Sequence, residues 1–240
     1  PALTGVFHGD YRVGGNYRSQ WQSVPVPYQT TSIFADGKML DLGSLVVGGG
    51  FKFDSDRAGD AAISWTNGAF FGSVSRILSQ NSALSLGITL GGGQRKFDLD
   101  KLRWGKQYVD GAFAGAANSF ESFEKTSAFV PEIGAGVNYH LQPEKTRTQL
   151  DFGLGTFHLT RPTVSFRDEK ASKLAMRFNV NAGGAIQAGA LRDFLVDANF
   201  QKQGTYKEIL ASVGIRRWLK PEQTAASFLL GVRLGDAIIP

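Results

Sequence analysis

The sequence predicts an all-β fold, a transmembrane antiparallel β-barrel of the outer-membrane type with about eleven strands. Three observations lead to this prediction: apolar and polar side chains alternate with a period of two, the alternating runs are long, and aromatic residues flank the apolar faces. Long amphipathic strands with aromatic girdles are typical of barrels that cross a bilayer. A soluble β-sandwich is the alternative, because alternation alone does not say which face is inside.

The first half of the chain contains five alternating runs. In the first run Tyr11 and Val13 face one way, whereas Arg12 and Gly14 face the other. The third and fifth runs repeat this pattern, and the second and fourth alternate poorly. The strands predicted from these runs are 10–21, 27–36, 43–54, 61–76 and 83–97.

The second half of the chain contains six further runs with the same alternation. Val137 precedes Asn138, and Phe178 precedes Asn179, so each pair places one apolar and one polar side chain on opposite faces. The strands predicted from these runs are 129–141, 147–159, 173–187, 192–202, 206–218 and 225–235.

Strand length and aromatic spacing favour the membrane barrel over the sandwich. Strands of about 10 to 13 residues are long for soluble proteins and suit a tilted bilayer crossing. Tyr11 and Trp21 lie ten residues apart on one face, as do Phe129 and Tyr139. At about 3.3 Å per residue and a tilt near 40°, this separation spans roughly 25 Å, the height of an apolar membrane band.

The polar face of the strands carries both signs of charge and many glycines, which favours a polar lumen. The apolar positions Val13, Ile88, Val137, Phe178 and Val213 are expected to face lipid. The polar residues expected to face the lumen are Asp10, Arg12, Asn16, Arg18, Glu132, Arg177, Asn179 and Asp197.

Two glycine triplets fall within predicted strands, Gly48–Gly50 and Gly91–Gly93. No Gly-Lys-Ser/Thr follows either triplet, so a phosphate-binding loop is not predicted. Glycines inside strands instead permit a bend or the close approach of a loop or plug.

Composition excludes several classes of function. The chain has no cysteine, which removes disulfides, thiolate metal sites and cysteine nucleophiles. His8, His140 and His158 lie far apart in the sequence, so no metal site, cofactor or catalytic residue is predicted. The net charge of +5 comes from interspersed basic and acidic residues, so nucleic acid is not expected as a partner.

The connections between predicted strands alternate in length. The two longest, 98–128 and 160–172, fall on the same side, which is expected to be extracellular if the chain starts in the periplasm. Two interpretations of the aromatic residues there stay open: they pack a loop over the barrel mouth, or they dock a secreted partner. The candidate partner-binding residues are Trp104, Phe113, Phe120, Phe123 and Phe166.

An ordered set of short segments extends from one end of the chain to the other. It comprises 1–13, 16–21, 23–28, 58–60, 102–104 with Gln107, 110–111, 157–162, 164–166 and 236–240. This set resembles the PorP/SprF family of the Bacteroidetes, outer-membrane proteins of the type IX secretion system and of gliding motility. The resemblance implies a barrel of about fourteen strands. Residues 1–240 are then expected to form a single barrel domain that lacks a signal segment and the last strands.

The resemblance also implies what the protein does. It implies a non-enzymatic barrel in the cell outer membrane that supports type IX protein secretion and attaches a gliding adhesin to the cell surface. The implied partners are outer-membrane lipid, a secreted adhesin or type IX substrate, and periplasmic secretion or motility components. The alternatives are a passive outer-membrane pore or FadL-like hydrophobic-solute transporter, and an outer-membrane hydrolase.

Overall fold

A computed structural model describes residues 1–7, 9–23, 27–59, 63–115, 123, 125–166, 172–220, 223–234 and 237–239. One antiparallel sheet of twelve strands contains nearly all of the regular structure, and consecutive strands of this sheet are neighbours in it. A separate two-stranded hairpin lies within the longest connection. Among the described residues, no helix has the length and apolar character needed to cross a membrane.

The strands follow one another along the chain with two short 3-10 turns, Leu99–Lys101 and Gly105–Gln107, before the small hairpin. The hairpin consists of β6 (Tyr108–Val109) and β7 (Ala112–Phe113). The strands of the large sheet are β1 (Tyr11–Gln20), β2 (Tyr28–Asp41), β3 (Leu45–Ala58), β4 (Ile63–Ser79), β5 (Ser82–Lys96), β8 (Ser127–Leu141), β9 (Gln149–Phe157), β10 (Arg177–Gln187), β11 (Arg192–Gln203), β12 (Tyr206–Lys220), β13 (Thr224–Arg233) and β14 (Ala237–Ile239).

The sheet curves around a common interior. Thr30 of β2 and Gln203 of β11 line the same cavity, together with residues from the strands between them. Among the described residues the sheet is barrel-like without being closed, because no ladder joins β1 to β14. The concave surface is called the inner face below, and the convex surface is called the outer face.

All eleven predicted strands are present, and three of their ends differ from the prediction by four or more residues. Residues 37–41, predicted as a turn, continue β2, because the ladder with β3 extends past Lys38↔Gly48 to Asp41↔Val46. Residues 55–58, predicted as a connection, continue β3 for the same reason. Residues 173–176 precede β10 and form only an isolated bridge, Thr163↔Lys173.

The two faces of the sheet are inverted relative to a soluble protein. On the outer face, Val13 is 80% exposed and Val213 is 64% exposed. On the inner face, Glu132 and Asn138 are buried. Among the described residues, the buried apolar side chains are few, namely Ala2, Ala69, Val130, Pro162 and Ala185. This arrangement is that of a membrane barrel, where lipid covers the apolar face, and not that of a sandwich with an apolar core.

The end of the sheet that carries the short turns is held together by one buried carboxylate. Asp193, at the start of β11, has no exposed surface. It accepts hydrogen bonds from Arg216 Nε at 3.0 Å, from Trp218 Nε1 at 2.7 Å and from Arg147 Nη2 at 3.1 Å. Arg147 also donates to the carbonyl oxygen of Gly189 at 2.8 Å. A single aspartate therefore links β11, β12 and the connection before β9.

Candidate functional site at the long-loop end

A cavity of about 620 Å³ opens on the inner face beneath the long connections. Its walls include three basic side chains, Lys52, Arg95 and Arg177, and three acidic ones. The acidic side chains are Asp54, Asp56 and Glu132. Because the two signs of charge balance within the cavity, it does not present the field of one sign that focuses an ion of opposite charge.

Glu132 of β8 and His158, the residue after β9, form the most buried polar pair in this cavity. The backbone N–H of His158 donates to Glu132 Oε1 at 3.0 Å, and Nδ1 of the imidazole ring contacts the other carboxylate oxygen. His158 adopts a positive φ of 57°, which turns the chain away from the ladder. The pair thus marks the point where β9 ends and the long connection to β10 begins.

A second polar group lines the part of the cavity wall that β3 forms. Lys52 Nζ lies 3.0 Å from Asp54 Oδ2, and the hydroxyl of Ser32 donates to Asp54 Oδ1 at 2.5 Å. The guanidinium of Arg177 packs over the ring of Phe157 at 4.5 Å. Lys52 and Asp54 pair along β3, whereas the Ser32–Asp54 and Arg177–Phe157 contacts join neighbouring strands.

Aromatic side chains join the two long connections above the cavity. The ring centroid of Phe97 lies 5.0 Å from that of Phe123 and 4.8 Å from that of Phe166, in both cases edge to face. Trp104 stacks on Phe123 at 5.9 Å, and Arg95 lies over Phe166 at 5.7 Å. These rings, called the aromatic cluster below, connect the β5–β8 connection to the β9–β10 connection.

The β6–β7 hairpin projects from the same connection and presents a smaller aromatic pair. Asp110 and Gly111 form its turn with φ values of 51° and 79°. Two positive φ values are the hallmark of the turn that Asp-Gly favours between paired strands. The turn brings Tyr108 opposite Phe113, with ring centroids 5.6 Å apart, and Arg103 packs over Phe113 at 4.9 Å.

The predicted partner-binding residues lie in two different environments. Trp104, Phe123 and Phe166 are half-buried in the aromatic cluster, whereas Phe113 is 37% exposed on the hairpin. Phe120 lies outside the described residues. Tyr108, which is 58% exposed beside Phe113, was not predicted from the sequence. The Asp-Gly pair that follows it is the signal that could have identified the hairpin.

The residues predicted to face the lumen also differ in environment. Glu132 and Arg177 line the charged cavity, and Asn179 Nδ2 donates to Asn199 Oδ1 at 3.1 Å. Arg12 makes a two-pronged contact with Asp36 at 2.9 Å for each hydrogen bond. The remaining predicted residues, Asp10, Asn16, Arg18 and Asp197, are exposed. Lumen exposure of the whole set stays a prediction.

We expect Phe97→Ala to release the two long connections from each other. Phe97 contacts Phe166 across the two connections and Phe123 within the first of them. Each aromatic pair contributes about 0.5–1.5 kcal/mol beyond its buried area. Limited proteolysis of the folded protein should therefore cleave residues 97–126 faster than in the parent. Tyr206→Ala is the control, because Tyr206 is 82% exposed at the β11–β12 turn, outside the aromatic cluster. An unchanged cleavage rate in Phe97→Ala would show that the cluster does not hold the loops.

The curved antiparallel sheet, its lipid-type outer face and its charged interior define an outer-membrane β-barrel. The family model described as type IX secretion system membrane protein PorP/SprF matches residues 1–236 of the chain. The chain therefore belongs to the PorP/SprF family, as the ordered segments in its sequence predict, and it is an outer-membrane protein of type IX secretion. A comparison with curated protein sequences finds no match.

Proposed function

We propose that this barrel is a non-enzymatic docking protein that retains a secreted partner at the long-loop end. The partner is a gliding adhesin or another type IX substrate, and the opposite end of the barrel connects to periplasmic secretion or motility components. The proposal rests on family membership together with the exposed aromatic residues at the long-loop end.

The observation that carries the proposal is the exposure of the β6–β7 hairpin. The neighbouring rings of the aromatic cluster are half-buried against one another, whereas Tyr108 and Phe113 are exposed. Arg103 lies against Phe113, so a cation and two aromatic rings form one surface. Tyrosine and arginine side chains are enriched among the residues that dominate binding energy at protein interfaces.

The histidines of the barrel interior bear on the hydrolase alternative. His140 Nδ1 lies 3.0 Å from Asp151 Oδ1 across the β8–β9 ladder, and His158 contacts Glu132. Asn138 donates to the same Asp151 oxygen at 2.8 Å. Each ring therefore belongs to a cross-strand polar pair, and this role accounts for both residues without catalysis.

The double substitution Tyr108→Ser with Phe113→Ser tests the docking proposal. It removes both exposed rings and keeps the Asp110-Gly111 turn, so the barrel should fold normally. Retention of the surface partner should fall at least about tenfold, because removing an interface anchor costs about 2 kcal/mol or more. The measurement is recovery of the partner by affinity purification of the barrel from outer membranes.

The matched control is Tyr206→Ser, which removes an exposed tyrosine from another connection at the same end. It should leave partner recovery unchanged. Undiminished recovery in the double variant would refute docking through the hairpin. Equal losses in the double variant and in Tyr206→Ser would instead point to a general effect of surface aromatic residues.

A further inference from the structure

Residues 1–7, called the inner segment below, precede β1 and lie against the inner face of the sheet. Ala2 and Thr4 are 5% and 7% exposed. The segment folds into a tight turn, because the backbone N–H and the hydroxyl of Thr4 both donate to the carbonyl oxygen of Pro1, at 3.1 and 2.8 Å. A short turn is thus buried where a barrel has its lumen.

Specific hydrogen bonds hold the inner segment to two strands. The hydroxyl of Ser73 on β4 donates to the carbonyl oxygen of Thr4 at 2.6 Å. The backbone N–H of Gly5 donates to Asp36 Oδ2 on β2 at 2.9 Å. Arg12 holds that carboxylate in place. Hydrogen bonds to a charged acceptor are among the stronger ones, so the Asp36 contact is an anchor rather than a chance approach.

A transverse row of small residues lies beneath the inner segment. Gly48, Ser73, Gly87, Gly136 and Gly155 are direct partners from β3 to β9, each opposite the next. They are called the small-residue row. The row crosses the strands at one level and leaves a shallow channel in the inner face.

The inner segment needs this channel. A Cβ atom at Gly48 would lie 2.5 Å from the carbonyl oxygen of Thr4, and one at Gly87 would lie 2.5 Å from the nitrogen of Ala2. Real Cβ atoms do not approach so closely, and the atoms met are backbone atoms that cannot rotate away. A Cβ atom at Gly155, at the end of the row, would lie 3.6 Å from its nearest heavy atom, a ring carbon of Phe157.

The channel continues past Pro1 into a cavity of about 230 Å³. Asn138, Asn179, Asn181 and Gln201 line this cavity, and amides of this kind both donate to and accept from a peptide backbone. Asn138 is buried, and its Oδ1 atom has no hydrogen-bond partner among the residues that the structure describes. A buried acceptor without a partner is costly, so this site is suited to one more N–H donor.

We propose that the small-residue row is a binding site for polypeptide main chain inside the lumen, and that the inner segment occupies it as a releasable plug. The contacts define the class of ligand. The bound chain offers main-chain N–H and C=O groups, and the small-residue row beneath it leaves room for its backbone. The segment obstructs the barrel when it is bound, and its release opens the lumen. This inference does not depend on the docking proposal.

Thiol labelling of the full-length protein tests the plug. The parent chain has no cysteine, so Thr4→Cys provides a single reporter. In folded barrels we expect a water-soluble maleimide to label Thr4→Cys at least tenfold more slowly than Ser44→Cys in an exposed turn. Adding Gly87→Ala should expel the segment and raise the labelling rate at position 4 at least tenfold. Gly155→Ala is the matched control and should leave the rate unchanged.

Single-channel recording in planar bilayers provides a second readout. The parent barrel and Gly155→Ala should stay closed, whereas Gly87→Ala should open. Labelling of Thr4→Cys as fast as Ser44→Cys would overturn the proposal even if Gly87→Ala failed to fold. Conductance of the parent equal to that of folded Gly87→Ala would also overturn it.

Discussion

Asp193→Ala is expected to destabilise the barrel by about 3–5 kcal/mol, the usual cost of removing one partner from a buried ion pair. The substitution leaves Arg147 and Arg216 close together without the carboxylate that both contact. It also leaves Trp218 Nε1 without its acceptor. The measurement is the free energy of unfolding in urea, in phospholipid vesicles, with folded barrel separated by its electrophoretic mobility.

A second variant at Asp193 separates the effect of charge from that of packing, and a variant of an exposed ion pair is the control. Asp193→Asn keeps an acceptor for Trp218 and loses the charge, so it should lie between the parent and Asp193→Ala. Lys101→Ala removes the ammonium group of an exposed pair with Asp98, 3.4 Å apart, and should cost about 0–1 kcal/mol. If Asp193→Ala and Lys101→Ala cost the same, the buried network does not stabilise the short-turn end.

Val213→Arg is expected to cost about 2–4 kcal/mol of folding free energy in a bilayer. Val213 lies at the middle of β12, is 64% exposed on the outer face and pairs with Leu230 of β13. An arginine there must place its charge in the hydrocarbon core or distort the bilayer to reach water. Unfolding titrations in phospholipid vesicles would measure the change.

The cost of an outward-facing arginine depends on how deep in the membrane it lies. Leu219→Arg introduces the same side chain near the end of β12, where Leu219 is 65% exposed. There the long arginine side chain reaches the interface, and the expected cost is about 0–1 kcal/mol. Equal costs at both positions would contradict a bilayer around the outer face.

Much of the fold could be predicted because side-chain alternation is a local property. Every predicted strand is present. Each alternating run has one apolar face, which faces outward, and one polar face, which faces the interior. The strand ends were harder, because residues 37–41 and 55–58 carry Gly, Lys, Asp, Ser and Arg, which also suit turns. Their extended form depends on cross-strand pairing with the neighbouring strand, and the residues themselves do not encode that pairing.

The sequence predicts which aromatic residues belong to the candidate site, but not which of them contact one another. The phenylalanines of the long connections could be identified from the sequence. Their division into a packed cluster and an exposed hairpin depends on contacts between loops far apart in the chain, such as Phe97 with Phe166. Gly48 was predicted to permit either a bend or the close approach of a loop or plug, and Thr4 is the residue that approaches it. Nothing local in residues 1–7 indicated that they would be the occupant.

The position of the inner segment bears on the order in which the barrel assembles. Strands consecutive along the chain are neighbours in the sheet, so the barrel can grow by adding one strand after another to the strand before it. The position of Pro1, however, is defined by Gly87 on β5 and Gly136 on β8. The inner segment therefore completes its contacts in stages: Gly5 can reach Asp36 once β2 has formed and Thr4 can reach Ser73 once β4 has formed, whereas the surroundings of Pro1 are complete only when β8 has joined the sheet.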